Sequence, residues 1–325
     1  MSHSGGAREH IVDLPSSMKV HSIGNLLRAC DFFPATEPTR VVLRFHPRYS
    51  QFEPLALSML AAWAAYWSER GAEIRCENLA AKGVAYAQRL GLFNFVPGGP
   101  NTSVEEHEEA GRFVALQQIR RQPDLTKLVG DLGGILRTPE LIETVQYLVV
   151  EVTRNVLEHA GADAYICVQH YRKPNRVSLG IADCGRGVRE ALRTAYDFKS
   201  DEDAIVGALR PGVTGAMPRP YGSADNAGLG LFYSRGLAKW TAQYFLIVSG
   251  NRGYRLKRKQ TVRVPARNPR ADAHNLYDGA PWQGTVVAID IAPVGASHGQ
   301  MLRAIGAAAN PDDGLRETKS KIRFT

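Results

Sequence analysis

Residues 151–160 read EVTRNVLEHA and form the second half of the most strongly predicted helix in the chain. Thr138 supplies an N-cap, Pro139 occupies the first helical position, and Gly161 lies just past the far end. Between these ends, apolar side chains recur at helical spacing. They predict one core-facing stripe, made of Val145, Leu148, Val149, Val152 and Val156.

A carboxylate and an amide share a second face of this helix, because Glu151 and Asn155 are four residues apart. Oxygen atoms of this kind can hold Mg²⁺ and orient a water molecule. A polar pair at this spacing is more often part of a solvated helix face. The pair therefore gains meaning only from the motifs that follow it.

Two predicted strands come next, at 164–170 and 176–183, and the short turn between them makes them antiparallel neighbours. The second strand ends at Asp183, with glycine at 185 and 187. Such an arrangement allows a planar ring to approach the backbone while the carboxylate accepts a proton from an exocyclic amine. A dinucleotide fingerprint is disfavoured, because its third glycine would fall at Glu190.

Two further glycine motifs follow. Residues 226–231 read NAGLGL and open a predicted helix at 230–240, where free backbone N–H groups can cradle phosphate oxygens. Gly284 and Thr285 begin the last alternating strand, 284–291, where a hydroxyl could reach a bound base. Each of these motifs is weak evidence when it stands alone.

In this order the four motifs resemble those of the GHKL superfamily, over about residues 105–292. That ATP-binding fold is shared by gyrase, a heat-shock chaperone, sensor histidine kinases and MutL. The resemblance implies an α/β sandwich of the Bergerat type, with a mixed, largely antiparallel sheet, that binds ATP and Mg²⁺. It implies that Asn155 coordinates Mg²⁺, that Glu151 is the catalytic base, and that Asp183 binds the adenine amine. The remaining nucleotide-binding positions that it implies are Gly185, Gly187, Gly228, Leu229, Gly230, Leu231 and Thr285.

Residues 17–97 are predicted to form a separate small α/β domain, ahead of a linker at 98–104 and the ATP-binding domain at 105–295. The order of its elements resembles that of STAS domains, the fold of anti-sigma-factor antagonists, although the phosphorylatable Asp-Ser-Ser-Gly is missing. The helix at 53–70 is apolar nearly all round, which indicates a buried helix. The other elements of this domain are strands at 40–46 and 73–77 and a helix at 82–90.

Several segments have weaker patterns. We expect a flexible N-terminus at 1–16 and a C-terminal tail at 296–325. A long segment rich in glycine and proline, 188–227, is predicted to be a lid over the nucleotide. The remaining expectations are a helix at 105–121, a strand at 244–249, turns at 130–134 and 250–253, and a strand at 255–259.

Composition limits the possible classes of protein. The 325 residues suggest two domains, and the four cysteines lack CxxC or zinc-site spacing, so protein-ligated metal clusters are not expected. The most apolar run, 54–67, includes Ser58 and is shorter than the roughly 20 residues of a membrane helix. With no secretion signal at the N-terminus, these features predict a cytoplasmic protein without a membrane partner.

The formal charge of +8 is concentrated in residues 251–270, which hold eight Arg and Lys residues and no acid. A solvated strand pair is the simpler interpretation of this basic strip. The alternative is a docking surface for an acidic partner or for nucleic acid.

The leading functional hypothesis is a cytoplasmic Mg·ATP-binding regulatory protein, an ATPase or serine kinase of the anti-sigma-factor type, with a protein partner. The α/β pattern before residue 100 disfavours a sensor histidine kinase, and the short stretch after Ile291 disfavours relatives with a transducer domain. An alternative is a protein-binding module that ATP switches without turnover. A nucleic-acid-binding protein is a third and less favoured hypothesis, and a homodimer is left open.

Overall fold

In the described part of the chain, strand pairing forms a five-stranded sheet, a three-stranded sheet and a two-stranded sheet made of Ser17–Met18 and Gln51–Phe52, within a mixed α/β architecture. The computed structural model describes residues 8–100, 113–214, 228–256 and 264–307. Its strands are β1 (Glu9–Asp13), β2 (Ser17–Met18), β3 (Arg40–Arg44), β4 (Gln51–Phe52), β5 (Glu73–Glu77), β6 (Phe113–Ile119), β7 (Ala164–Tyr171), β8 (Arg176–Asp183), β9 (Phe245–Leu256) and β10 (Ala273–Ile291).

The helices lie between and around these sheets. None of the helices in the described ranges combines the length and the apolar character needed to cross a bilayer. They are α1 (Ile23–Ala29), α2 (Pro54–Glu69), α3 (Val84–Arg89), α4 (Gln122–Ile135), α5 (Pro139–Asn155), α6 (Gly187–Leu192), α7 (Asp201–Ala208), α8 (Gly230–Trp240), α9 (Pro269–Asp272) and α10 (His298–Ala307).

The larger sheet has five strands in the order β6-β7-β8-β10-β9, and every neighbouring pair is antiparallel. The smaller sheet has the order β1-β3-β5 and is entirely parallel. Apolar residues of α4, α5, α8 and α10 form one core with the first face of the larger sheet. The second face of that sheet packs against the N-terminal unit, which we define as residues 8–100.

The position of helix α2 in the fold explains why its sequence is apolar nearly all round. Twelve of its sixteen residues are buried, because the helix packs against β7 and β8 on one side and against β5 on the other. Its N-terminus approaches β8 so closely that a Cβ atom placed on Gly180 would lie 2.2 Å from the backbone nitrogen of Leu55. The hydroxyl of Ser58 donates a 2.8 Å hydrogen bond to the carbonyl oxygen of Gly180.

One hydrophobic core therefore spans the predicted domain boundary at 98–104. The apolar cluster around α2 includes side chains of the larger sheet, among them Tyr165, Ala182 and Val286. The boundary separates two sheets but does not separate two cores. The physical reason is that both faces of the larger sheet carry apolar side chains, so both must be covered.

The most strongly patterned elements are confirmed. The helices predicted at 53–70, 82–90, 138–161 and 230–240 correspond to α2, α3, α5 and α8. The strands predicted at 40–46, 73–77, 164–170 and 176–183 correspond to β3, β5, β7 and β8, and those at 244–249 and 284–291 lie in β9 and β10.

The weakly patterned segments differ from expectation. Within the predicted flexible N-terminus, residues 9–13 form β1, which gains its ladder from β3. Residues 113–119 of the predicted helix at 105–121 form an alternating strand, while 105–112 lie outside the described residues. The segment predicted to be a turn, 130–134, lies inside α4. Its glycines occupy solvent-exposed positions of that helix, where they are tolerated.

Two C-terminal expectations are also wrong, and a third is confirmed as far as the described residues reach. The turn expected at 250–253 is continuous strand in β9, with register shifts against β10. The strand expected at 255–259 is seen only to residue 256, because 257–263 lie outside the described ranges. Part of the predicted tail at 296–325 forms α10, whose buried Met301 and Ile305 add to the helical side of the core.

Candidate nucleotide-binding site

Asp183 ends β8 and lies on the sheet face covered by α5, because side chains alternate after Leu179 and Ile181. The carboxylate is 1% exposed. The Gly185 N–H donates a 2.8 Å hydrogen bond to Oδ1, and the backbone N–H of Thr285 also favours the charged carboxylate. The second oxygen, Oδ2, is buried and has no hydrogen-bond partner in the described part of the chain.

Burial raises the pKa of Asp183 to about 7, even though the two backbone donors lower it. A buried carboxylate oxygen without a donor is costly, so native proteins rarely leave one unpaired. An exocyclic amine would supply the missing donor, and the residues present therefore fit the adenine group that the sequence predicts here.

The raised pKa of Asp183 predicts how stability depends on pH in nucleotide-free protein. The folded state keeps this proton to about pH 7, whereas an unperturbed aspartate loses it near 3.8, so stability falls as pH rises through this window. The effect is at most about 4 kcal/mol. We expect Asp183→Asn, which stays neutral, to be more stable than the wild type at pH 8 and nearly equal to it at pH 4.

Urea unfolding of both proteins at pH 4, 6 and 8 checks this prediction. Part of the pH dependence will persist in the variant, because burial also raises the pKa of Asp290 to about 6. Parallel stability profiles for wild type and Asp183→Asn would show that Asp183 does not carry this proton.

A row of polar side chains crosses the sheet at the level of Asp183. In the strand register Thr285 lies opposite Asp183 on one side and opposite Ser249 on the other, all on the same face. The Ser249 hydroxyl donates to the Gly284 carbonyl oxygen at 2.8 Å and accepts from the Val188 N–H at 2.9 Å. Ser249 was missed by the sequence reasoning, although a serine that ends the apolar run FLIV is a detectable signal.

Glu151 lies on α5 with 19% of its side chain exposed, and burial raises its pKa. Its carboxylate pairs with Arg154 at 3.3 Å. A Cβ atom placed on Gly230, the first residue of α8, would lie 2.6 Å from Glu151 Oε2. The structure therefore brings Glu151 against the second glycine motif, where the start of a helix favours negative charge.

Asn155 is the last α-helical residue of α5 and is half-buried. A π-helical turn follows it at Val156–Ala160 and ends at Gly161, whose φ is +68°. Turns of this kind are rare and are often found at functional sites. The described residues contain no group of three His, Cys, Asp or Glu side chains that could hold a metal ion, so a Mg²⁺ here would depend on Asn155 and on phosphate oxygens.

The glycines after Asp183 are occupied by packing within the protein. A Cβ atom on Gly185 would lie 2.3 Å from the carbonyl oxygen of Ala160, and the Arg186 N–H donates to that oxygen at 3.0 Å. Gly187 has φ +74°, and a Cβ atom there would lie 2.8 Å from the Ser249 Oγ. The Cβ directions of these two glycines are thus filled by protein, so a side chain would not fit at either position. Their predicted contact with a planar ring stays a prediction.

The second glycine motif is hydrogen-bonded to a residue of the predicted lid. The Gly212 N–H donates to the Gly228 carbonyl oxygen at 3.0 Å, and Gly228 has φ +79°. Leu229 is the N-cap residue of α8, and Leu231 is its second residue and packs on the helical core. Within 188–227 the chain forms α6 and α7, and residues 215–227 lie outside the described ranges.

Arginines in the described part of the basic strip interact with other residues of the protein. Arg252 pairs with Asp278, and Arg255 donates to the His21 carbonyl oxygen at 2.9 Å. Arg270 pairs with two acids of α7, Glu202 and Asp203. Arg252 and Arg270, which pair with acids, therefore contribute less free positive charge than the sequence alone indicates.

Comparison with known proteins gave no match to a family model, a curated protein or a solved structure. The fold and the site together define a mixed α/β protein with a buried, partly unpaired aspartate beside two glycine motifs.

Proposed function

We propose that this protein binds Mg·ATP through a GHKL-type domain and acts as a cytoplasmic regulatory ATPase or serine kinase of the anti-sigma-factor kind. The observation that carries the proposal is Asp183, a buried carboxylate that keeps one oxygen without a donor. The close contact between Glu151 and Gly230 supports it, because it joins the first and third of the four motifs.

In this proposal each motif has one task. Asp183 Oδ2 accepts the adenine amine, and the N–H groups at 228–231 hold phosphate oxygens at the start of α8. Asn155 holds Mg²⁺, which neutralises phosphate charge when bound. Glu151 takes a proton from water or from a substrate hydroxyl, a role that its raised pKa favours.

Calorimetric titration with Mg·ATP tests the binding step. We expect Asp183→Asn to weaken binding by about 10- to 100-fold, because one side-chain oxygen becomes a donor that faces the adenine amine. The matched control is Asp290→Asn, which alters a second buried carboxylate on the neighbouring strand. It should lower stability and leave ATP affinity unchanged. Equal affinities in wild type and Asp183→Asn would contradict the site.

The same preparations test turnover. We expect Glu151→Gln to retain ATP binding and to lose about 10²- to 10⁴-fold in phosphate release or transfer. The ion pair between Glu151 and Arg154 favours a second candidate, an ATP-switched protein-binding module, because the arginine lowers the proton affinity of the carboxylate. That candidate is supported if wild type and Glu151→Gln bind ATP equally and neither turns it over.

The N-terminal unit fits a protein-binding role within this proposal. The STAS-like interpretation is supported by β3, α2, β5 and α3, which follow one another in the expected order with β4 between β3 and α2. A protein partner is therefore favoured over nucleic acid, since the described bases of the basic strip are paired with residues of the chain itself.

A further inference from the structure

Trp282 connects the backbone of Asp183 to the N-terminal unit. The residue lies on β10, three positions before Thr285, and is 1% exposed. Its indole Nε1–H donates a 3.0 Å hydrogen bond to the carbonyl oxygen of Asp183. Its ring belongs to the core cluster on the opposite sheet face from the Asp183 carboxylate.

The other side of the indole contacts an aromatic cluster of the N-terminal unit. Ring centroids of Phe32 and Phe33 lie 5.5 Å and 5.2 Å from Trp282, both in edge-to-face geometry. The carbonyl oxygen of Phe32 accepts hydrogen bonds from the indoles of Trp63 at 2.8 Å and Trp67 at 3.2 Å. Helix α2 therefore fixes Phe32, and Phe32 packs on Trp282.

We infer that Trp282 is a positioning residue of the nucleotide site, through which the N-terminal unit sets the geometry of Asp183. The inference rests on the proposed function, because Asp183 is the residue assigned to the adenine amine. The unpaired Oδ2 must point toward the ligand, and its direction depends on the peptide that Trp282 holds.

The two residues after Trp282 also contact the turn at residues 183–185. Gln283 Nε2 donates a 2.5 Å hydrogen bond to the carbonyl oxygen of Gly185. Gly284 has φ +91°, and a Cβ atom there would lie 2.3 Å from the Asp183 carbonyl oxygen. Residues 282–284 thus contact the backbone of the 183–185 turn at three successive positions, Trp282 and Gln283 through side-chain donors and Gly284 through close approach. A shift of the indole would move an acceptor that the nucleotide needs.

A purely hydrophobic role would not require the indole N–H. Any large apolar side chain could fill the space beside Phe32 and Phe33, whereas only a donor can satisfy the Asp183 carbonyl from this face. The test therefore removes the N–H and retains an aromatic ring, with Trp282→Phe. The matched control is Trp63→Phe, which removes an equivalent buried indole N–H while Trp67 still holds Phe32.

Two measurements are made on each variant at a temperature where both are folded. In nucleotide-free protein, hydrogen exchange at the Gly185 amide reports the turn, since that N–H bonds to Asp183 Oδ1. We expect about fivefold to tenfold faster exchange in Trp282→Phe, the loss of one hydrogen bond, and no change in Trp63→Phe. Calorimetry should show Mg·ATP affinity weakened by a similar factor in Trp282→Phe only.

A second variant keeps the test decisive if Trp282→Phe does not fold. Phe33→Leu leaves the indole N–H in place and removes the ring that packs on it, so a smaller change in the same two readouts is expected. Equal Gly185 exchange in the Trp282, Phe33 and Trp63 variants would overturn the inference. A different outcome separates the two proposals. If wild type binds no ATP, and the Trp282 and Phe33 variants but not the Trp63 variant have faster exchange at the Gly185 amide, the proposed function fails while the positioning role stands.

Discussion

Replacing Arg176 by methionine is expected to lower the free energy of unfolding by about 3 to 5 kcal/mol at pH 8. Arg176 joins β8 to the start of α2. It bonds Asp290 Oδ2 at 2.6 Å and Glu53 Oε1 at 3.2 Å, and neither carboxylate has more than 10% of its side chain exposed. Without the guanidinium, two carboxylates remain buried with no cation between them.

The loss from Arg176→Met should shrink as the pH falls. Burial already holds the pKa of Asp290 at about 6, and removal of the arginine raises it further, so the acid can become neutral under mild conditions. Protonation removes the buried negative charge that makes the variant unstable. Urea unfolding at pH 5 and pH 8 measures the difference.

Arg44→Met is the matched control, because Arg44 also bonds two carboxylates. Its partners, Asp13 and Glu77, lie on the open face of the smaller sheet with 68% and 47% of their side chains exposed. Exposed pairs of this kind contribute about 0 to 1 kcal/mol. Similar losses in the two variants would show that burial of the Arg176 network has little energetic importance.

Gly180→Ala is expected to destabilise the protein by about 3 kcal/mol or more. The added methyl group would meet backbone atoms, 2.2 Å from Leu55 N and 2.4 Å from the carbonyl carbon of Pro54, and backbone cannot move aside as a side chain can. Helix α2 must shift away from β8, which also breaks the hydrogen bond between Ser58 and Gly180.

Thermal and urea unfolding measure this loss, and a second glycine provides the control. Gly130 lies on the exposed side of α4, where nothing occupies the space of an added Cβ. Gly130→Ala should be stabilising by up to about 1 kcal/mol, because alanine favours helix. A Gly180→Ala protein as stable as wild type would mean that α2 does not lie so close to the sheet.

Elements with a complete local pattern could be predicted from sequence. Helix α5 has its cap, its proline and a five-residue apolar stripe, and the hairpin of β7 and β8 has a short turn between alternating runs. For helix α2 the burial could be predicted as well as the helix itself, since an all-round apolar surface indicates burial on every side. These patterns are local, so neighbouring residues suffice to detect them.

Segments whose structure depends on distant partners could not be predicted. β1 has only two apolar residues, Ile11 and Val12, and is a strand because β3 supplies its ladder. In β9 the glycines at 250 and 253 suggested a turn, although Gly250 lies where the register against β10 shifts and Gly253 is in regular register with residue 277. Glycine allows both outcomes, and only the pairing strand decides between them.

The candidate site follows the same division. The position of Asp183 at a strand end was predictable, because the strand and its glycines are contiguous in sequence. Its contact with Trp282 joins residues 99 positions apart and leaves no trace in a local pattern. The packing of Gly185 on Ala160 also joins residues that are distant along the chain, so a local pattern could not predict it.

The aromatic cluster around Phe32 also gives the protein an optical signal of its own. Of the four tryptophans in the chain, Trp63, Trp67 and Trp282 lie in this cluster, and each is at most 2% exposed. Native emission therefore comes mainly from the boundary between the N-terminal unit and the larger sheet. Water entering that boundary would shift the emission to longer wavelength, so unlabelled protein can report whether its two halves remain together.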